Sequence, residues 1–159
     1  MVKRQDAASE NASDIRQIFD AFTEIGIIHQ LSRTLFEQRL DDSLLLPHFT
    51  VLNHLARLGD GVTPLSLAVA FQVPKTTLTH TLSGLEKRAL IETRPNPHDG
   101  RGKLVFITKS GREFRDNAIT SLGPDISRLA SEFDFTKLEA VLPVLKELRA
   151  TLDRYRDKN

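Results

Sequence analysis

Two stretches of the chain carry residue types that suit a polyanion. The first is Lys75-Thr76-Thr77-Leu78-Thr79-His80. The second is RPNPHDGRGKLVFIT, residues 94–108, where Arg94, Arg101 and Lys103 stand among two prolines and two glycines ahead of an apolar run. Threonine is short, donates and accepts hydrogen bonds, and can touch the thymine methyl, so a helix presenting it can approach base edges. Lys75 beside the free N–H groups of a first helical turn suits a phosphate. Arg101 near a hairpin tip suits a narrow minor groove, where negative potential concentrates. Asp99 has the reach to hold the Arg101 guanidinium through paired hydrogen bonds. The chemistry implied is recognition of a nucleic acid.

The charge distribution points the same way. Net charge is only +1, yet residues 71–112 hold eight Lys or Arg against Glu86, Glu92 and Asp99, and the rest of the chain is net acidic. A basic internal segment fits a polyanion; its flanks do not. Other chemistries find little support. There is no cysteine, which removes disulfides, thiolate metal sites and regulation by thiol oxidation. No Gly-rich phosphate loop, paired-carboxylate motif or nucleophile elbow occurs. The five histidines, His29, His48, His54, His80 and His98, are scattered. His48 and His54 would lie about 120° apart around a helix and cannot share a metal from one face. Neither a metal nor a cofactor is expected. The N-terminus lacks a signal-peptide core and no run reaches the ~18 apolar residues of a membrane span, so a soluble cytoplasmic protein with no membrane partner is expected.

The elements that must position these residues follow from periodicity and punctuation. A polar, flexible tail is expected over 1–10. Apolar residues at helical spacing from Ile15 to Leu40 predict a long helix over about 11–40. Pro47 opens a second helix, closed by Gly59. Thr63 and Pro64 start a short helix ending near Phe71. After a turn at Gln72-Val73, Pro74 opens another helix, running to about Ala89. Two short helices joined by a tight turn make a helix-turn-helix. On the second of them Leu78, Leu82, Leu85 and Ala89 share a buried face, while Thr76, His80, Ser83 and Lys87 lie opposite. Strands are expected at 90–94 and 103–107 around a loop 95–102, with Asp99-Gly100 as turn signal. A helix follows from Thr108 to about Phe133, with Ser110 and Glu113 as a capping box and a break at Gly123-Pro124. A last helix spans about 135–156 and bends at Pro143.

The fold class is thus mainly α with a small β-hairpin wing (α+β): a winged helix-turn-helix over 47–112, flanked by helices at 11–46 and 113–156. Ile15, Ile18, Phe22, Val141, Leu145, Leu148 and Leu152 exceed what one chain can cover. The flanking helices are therefore expected to form a helical dimerisation domain in a homodimer.

With these parts in order, the chain resembles a MarR-family transcription regulator from about Phe49 to Arg112. The matching residues are Phe49, Val51-Leu52 and Leu55; Leu67-Ala68; Val73; Lys75-Thr76-Thr77-Leu78-Thr79; Leu85-Glu86-Lys87-Arg88; Leu90-Ile91; Pro97-x-Asp99-x-Arg101; and Ile107-Thr108-x-x-Gly111. The resemblance implies an obligate homodimer on a pseudo-palindromic operator, released by a small, often anionic or aromatic, effector bound between domains. Gln72 replaces the usual turn glycine, His80 a basic residue, and Gly100 a basic wing residue.

The function expected is sequence-specific binding of double-stranded DNA by a ligand-responsive repressor, without enzymatic activity. The residues expected to meet DNA are Lys75, Thr76, Thr77, Thr79, His80, Ser83, Lys87, Arg94, Asp99, Arg101 and Lys103. Position alone assigns His29, Arg33, His48, Phe49 and Leu52 to an effector pocket facing the start of the post-wing helix. The alternative is a helical dimeric adaptor whose winged module binds protein, although an adaptor does not require the basic segment. A small enzyme has least support.

Overall fold

A computed structural model describes residues 2–40 and 44–158. Among the described residues seven helices and two strands follow one another: α1 (Val2–Glu37), α2 (Leu46–Leu58), α3 (Pro64–Phe71), α4 (Lys75–Lys87), β1 (Ile91–Asn96), β2 (Asp99–Ile107), α5 (Lys109–Thr120), α6 (Gly123–Ala130) and α7 (Lys137–Arg156). The contacts divide the chain into one compact unit over 1–120 and another over 121–159. The helix continues through residues 2–10, where polarity predicts a tail. That stretch contains no glycine or proline, and lysine, arginine, glutamine, alanine and glutamate all favour a helix.

Local chemistry explains most boundaries of the first unit. Proline stands in the first turn of α2 and α3, where its missing N–H is not needed. The Thr63 hydroxyl accepts the Ser66 N–H (3.1 Å) and caps α3. Gln72 closes α3 in the left-handed region (φ 53°). α4 then turns Leu78, Thr81, Leu82 and Leu85 inward. These residues meet Val51, Leu52 and Leu55 of α2, Leu67 and Ala68 of α3, and Leu90, Ile91, Val105 and Ile107 around the strands. Ala89, expected on that buried face, is exposed: α4 has already ended, and Ala89 adopts φ 57° to turn the chain into β1.

The strands pair antiparallel from Ile91↔Ile107 to Pro95↔Lys103, with an irregularity before Asn96↔Asp99. The hairpin therefore turns at Pro97-His98, and Asp99-Gly100 belongs to β2 rather than to the turn. Asn96 Oδ1 accepts the His98 N–H (3.0 Å), forming a side-chain turn that the sequence-based choice of Asp99-Gly100 overlooked. The two bonds Gly61 N–H to Val105 O and Val105 N–H to Val62 O, each 2.8 Å, dock a third short segment on β2.

α5 is capped by Thr108 and not by a Ser110–Glu113 box. The Thr108 hydroxyl donates to Ala89 O (2.8 Å) and accepts the Gly111 N–H (3.0 Å). Gly111 is required here, since a Cβ at that position would lie 2.0 Å from Leu90 O. Arg112 pairs with Asp60 (3.1 Å), and Arg115 holds Asn53 Oδ1 through Nε and Nη2 (3.2 and 3.0 Å). α5 is thereby fixed to α2 and to the α2–α3 connection. In the second unit, α6 starts at the expected Gly123-Pro124 break, and α7 runs through Pro143.

Candidate nucleic-acid interface and the adjoining cavity

α4 offers two unlike faces because its leucines recur at three- and four-residue spacing. Lys75, Thr76, Thr79, His80 and Lys87 are exposed, and Ser83 is half-buried. The Thr79 hydroxyl donates to Lys75 O (2.7 Å), which leaves its methyl and its acceptor lone pairs to an outside partner. Thr77, expected among the DNA contacts, sits on the flank of α4 and lines a cavity. A step of about 100° per residue separates it from Thr76.

The wing presents Lys103 and Arg94 beside Gly100 and Gly102 around a shallow hollow. Arg94 is held in place. It pairs with Glu92, and its guanidinium lies 4.4 Å from the centroid of the Phe106 ring. Strand alternation puts Glu92, Arg94 and Phe106 on one face, with Ile91 and Val105 on the other. The Asp99 carboxylate lies over Gly102, where a Cβ would come within 2.9 Å of Oδ2. The side chain of Arg101 lies outside the described residues, and with it the expected Asp99–Arg101 pairing.

Behind α4 is an open cavity of about 230 Å³ within the first unit. His29 and Arg33 of α1 form one wall, and Pro47, Thr50 and Val51 of α2 form another. Phe71, Val73, Thr77, Leu78 and Thr81 complete it from α3, the turn and α4. Arg33 Nε donates to Glu37 Oε2 (3.2 Å), while Glu37 Oε1 accepts the Leu46 N–H (3.1 Å). These two bonds hold the Glu37 carboxyl below the usual carboxylate range, the arginine bond most strongly.

Of the five residues assigned to an effector pocket, His29 and Arg33 line this cavity, whereas His48, Phe49 and Leu52 do not. Leu52 is fully buried in the core, Phe49 packs on Phe36 with ring centroids 4.3 Å apart, and His48 turns toward Gly84. The cavity faces the start of α4 and not that of α5. Helical spacing accounts for the difference: residues 47, 50 and 51 share a face of α2, and 48 and 52 share another. The clue in the sequence was the stripe Thr77 and Thr81, small polar residues one turn apart beside an apolar face. Among the described residues no group of three or more His, Asp or Glu could hold a metal ion, and no helix is long and apolar enough to cross a membrane.

Comparison with known proteins gives this geometry a context. Residues 43–102 match the model of the MarR family. An uncharacterised HTH-type transcriptional regulator of Mycobacterium bovis is 30% identical over 86 residues, covering 54% of this chain and 59% of the relative. An HTH-type transcriptional regulator of Mycobacterium tuberculosis matches to the same extent. The chain thus spans about six tenths of the length of these curated relatives. Among solved structures, a mutant MarR from E. coli superposes with a TM-score of 0.67 at 25% identity, over 79% of this chain and 93% of that one. The same protein complexed with operator DNA gives a TM-score of 0.66 at 24% identity, over 83% and 95%.

Proposed function

We propose that this chain, whose residues 43–102 match the MarR family model, is a winged-helix protein of that family that regulates transcription by binding double-stranded DNA as a homodimer. In this reading α4 enters the major groove and the wing reaches the flanking minor groove or its phosphates. The observation that carries it is the two-faced α4. Lysine, threonine and histidine stand outward, over leucines locked in the core, beside a wing carrying Lys103. Lys75, Lys87 and Lys103 take phosphates, Thr76 and Ser83 read base edges, and Thr79 offers its methyl. The repressor is released by a small anionic molecule with an apolar body. Such a molecule enters the cavity with its charge at Arg33 and His29 and its body against Phe71, Val73 and Leu78. Occupation there presses on Thr77 and Thr81, the back of the reading helix. Function in the cytoplasm belongs to the same proposal.

The test begins with duplexes that the chain recovers from a randomised DNA pool, followed by binding isotherms at several salt concentrations. Arg101→Ala is expected to weaken binding by about 1–3 kcal/mol and to flatten the log–log salt slope by about one. Thr76→Ala is expected to change preference among the recovered duplexes with little effect on slope. Recovery of no duplex would sink the DNA reading and favour a protein-binding adaptor. Wild-type affinity and slope in Arg101→Ala would remove the wing from the interface.

A further inference from the structure

His48 has a place in neither the DNA-facing surface nor the cavity, and its surroundings are specific. It is the third residue of α2, and the Leu45 N–H donates to its Nδ1 (3.1 Å). That bond leaves the proton of the neutral ring on Nε2. Nε2 points at α4, where a Cβ on Gly84 would lie 2.8 Å from Nε2 and 3.4 Å from Cδ2. A glycine inside a helix costs about 1 kcal/mol relative to alanine, so close approach of the ring gives Gly84 a reason. Thr77, Thr81, Gly84 and Arg88 fall within about 60° of one another around α4. The face of α4 that lines the cavity at Thr77 and Thr81 therefore meets the His48 ring further along.

We propose that His48 is a positioning residue for DNA binding. Its neutral imidazole seats in the gap at Gly84, sets α4 against the entrance of α2, and loses that seat when it takes up a proton. The inference rests on the DNA-binding reading of α4. Protonation at Nδ1 abolishes the acceptor for the Leu45 N–H and places a positive charge beside Arg88. The Arg88 Nη1 lies 3.9 Å from the same Cβ position and donates to Gly84 O (2.9 Å). Among the described residues the charged group that acts on the ring is Arg88 on α4; Glu37, at the entrance of α2, is bound by Arg33 and the Leu46 N–H. Asp41 and Asp42 lie outside the described residues. Burial first, and then Arg88, lower the His48 pKa below the usual histidine value, against the opposing bond from Leu45. The neutral form is thus the one the fold holds, and acid expels it.

Two variants separate this role from ordinary packing. Glutamine at a third helical position can reach back to the cap N–H without titrating, so His48→Gln keeps the acceptor and removes the proton switch. Alanine at Gly84 should meet the ring in the wild type, yet favour the helix once the ring is gone.

The probe is a fluorescein-labelled duplex recovered by the wild-type chain from a randomised pool, titrated from about pH 7.5 to about pH 5.5, across the imidazole range. The two proteins share every other ionisable group, so the difference between profiles is what reports His48. Relative to wild type, His48→Gln is expected to gain at least about threefold in affinity on acidification, with near wild-type binding at the upper end. Gly84→Ala is expected to weaken binding by about tenfold in the wild type and to have little effect in His48→Ala, a coupling that unrelated sites do not show. Parallel pH profiles, or equal effects of Gly84→Ala in both backgrounds, would overturn the proposal. A wild type that recovers no duplex would instead fail the DNA reading. In that case the His48 seat is judged by NMR, where the Gly84 and Arg88 amides must follow the imidazole titration midpoint; amides that do not follow it overturn the seat as well.

Discussion

Gln72 takes φ 53° and ψ 43°, the left-handed region where a Cβ crowds the carbonyl that follows. Glycine is the usual occupant of such a turn, and the chain tolerates glutamine because the neighbouring bonds fix the backbone. The Gln72 N–H reaches Val69 O (3.2 Å) and the Val73 N–H reaches Ala68 O (3.1 Å). Relief of the left-handed cost, about 1–2 kcal/mol, exceeds the extra unfolded-state freedom of glycine, about 0.5–1 kcal/mol. Gln72→Gly is therefore expected to stabilise the winged helix by roughly 0.5–1 kcal/mol, read from the denaturation midpoint. A lower midpoint would show that the glutamine side chain contributes more than its backbone costs. Gly111→Ala should act in the opposite sense, since a carbonyl oxygen of the main chain cannot step aside as a side-chain tip can.

Thr108 ties three parts together: the turn after α4 through Ala89 O, β2, which it directly follows, and α5 through the Gly111 N–H. Thr108→Ala removes a cap and leaves two partners unmet, which should cost about 1–2 kcal/mol. Stability unchanged within about 0.3 kcal/mol, in chemical denaturation, would deny it that role. Two histidines of α2 also make the fold acid-sensitive. Burial lowers the pKa of His48 and of His54, with Arg88 and Arg57 respectively adding to it. The unfolded chain then binds protons first as pH falls, so stability is full above about pH 6.5 and declines below it toward the lowered folded values. A thermal midpoint that holds or rises between about pH 7 and about pH 5 would contradict this sign.

At this scale much was legible, because Thr63-Pro64, Pro47 and the three leucines of α4 act through local geometry. The turn at Pro97-His98 was less so. Asp99-Gly100 is a stronger hairpin signal in isolation, and only strand register shows that β2 already includes it. The cavity was the least legible. Arg33 and His29 were found by position, but Thr50, Val73, Thr77 and Thr81 come together through packing of α1, α2 and α4, which no single periodicity encodes.

The whole molecule carries more apolar surface than either unit covers. On α1, Ile15, Ile18, Phe19, Phe22, Ile25, Ile28 and Leu31 are all exposed, with Phe19 at 70% of its full accessibility. On α7, Leu138, Val141, Leu142, Leu145 and Leu152 are likewise exposed. Ile15, Ile18, Phe22 and Ile25 alternate in steps of three and four, the spacing of a helix–helix seam. Burial of such side chains is worth about 1.5–3 kcal/mol each, enough for a second copy of the same stripe to hold without any polar contact. In the proposed dimer Phe22→Asp with Ile18→Glu places four carboxylates around a two-fold seam, and light scattering at micromolar concentration should then report a monomer, against the dimer expected of the unaltered chain. The winged helix-turn-helix of each copy, the lobe that meets DNA, would keep its fold, since neither residue belongs to the core around Leu52 and Leu85. Each lobe would still meet a single half-site, but the second half-site would no longer bind at the raised effective concentration that tethering supplies. Affinity for a duplex with two half-sites about one helical turn apart should fall by about 10²–10⁴-fold, and affinity for one half-site should hold. A monomer already present in the unaltered chain would overturn the dimer. Equal loss on both duplexes would mean that these residues support the lobe and not the pairing.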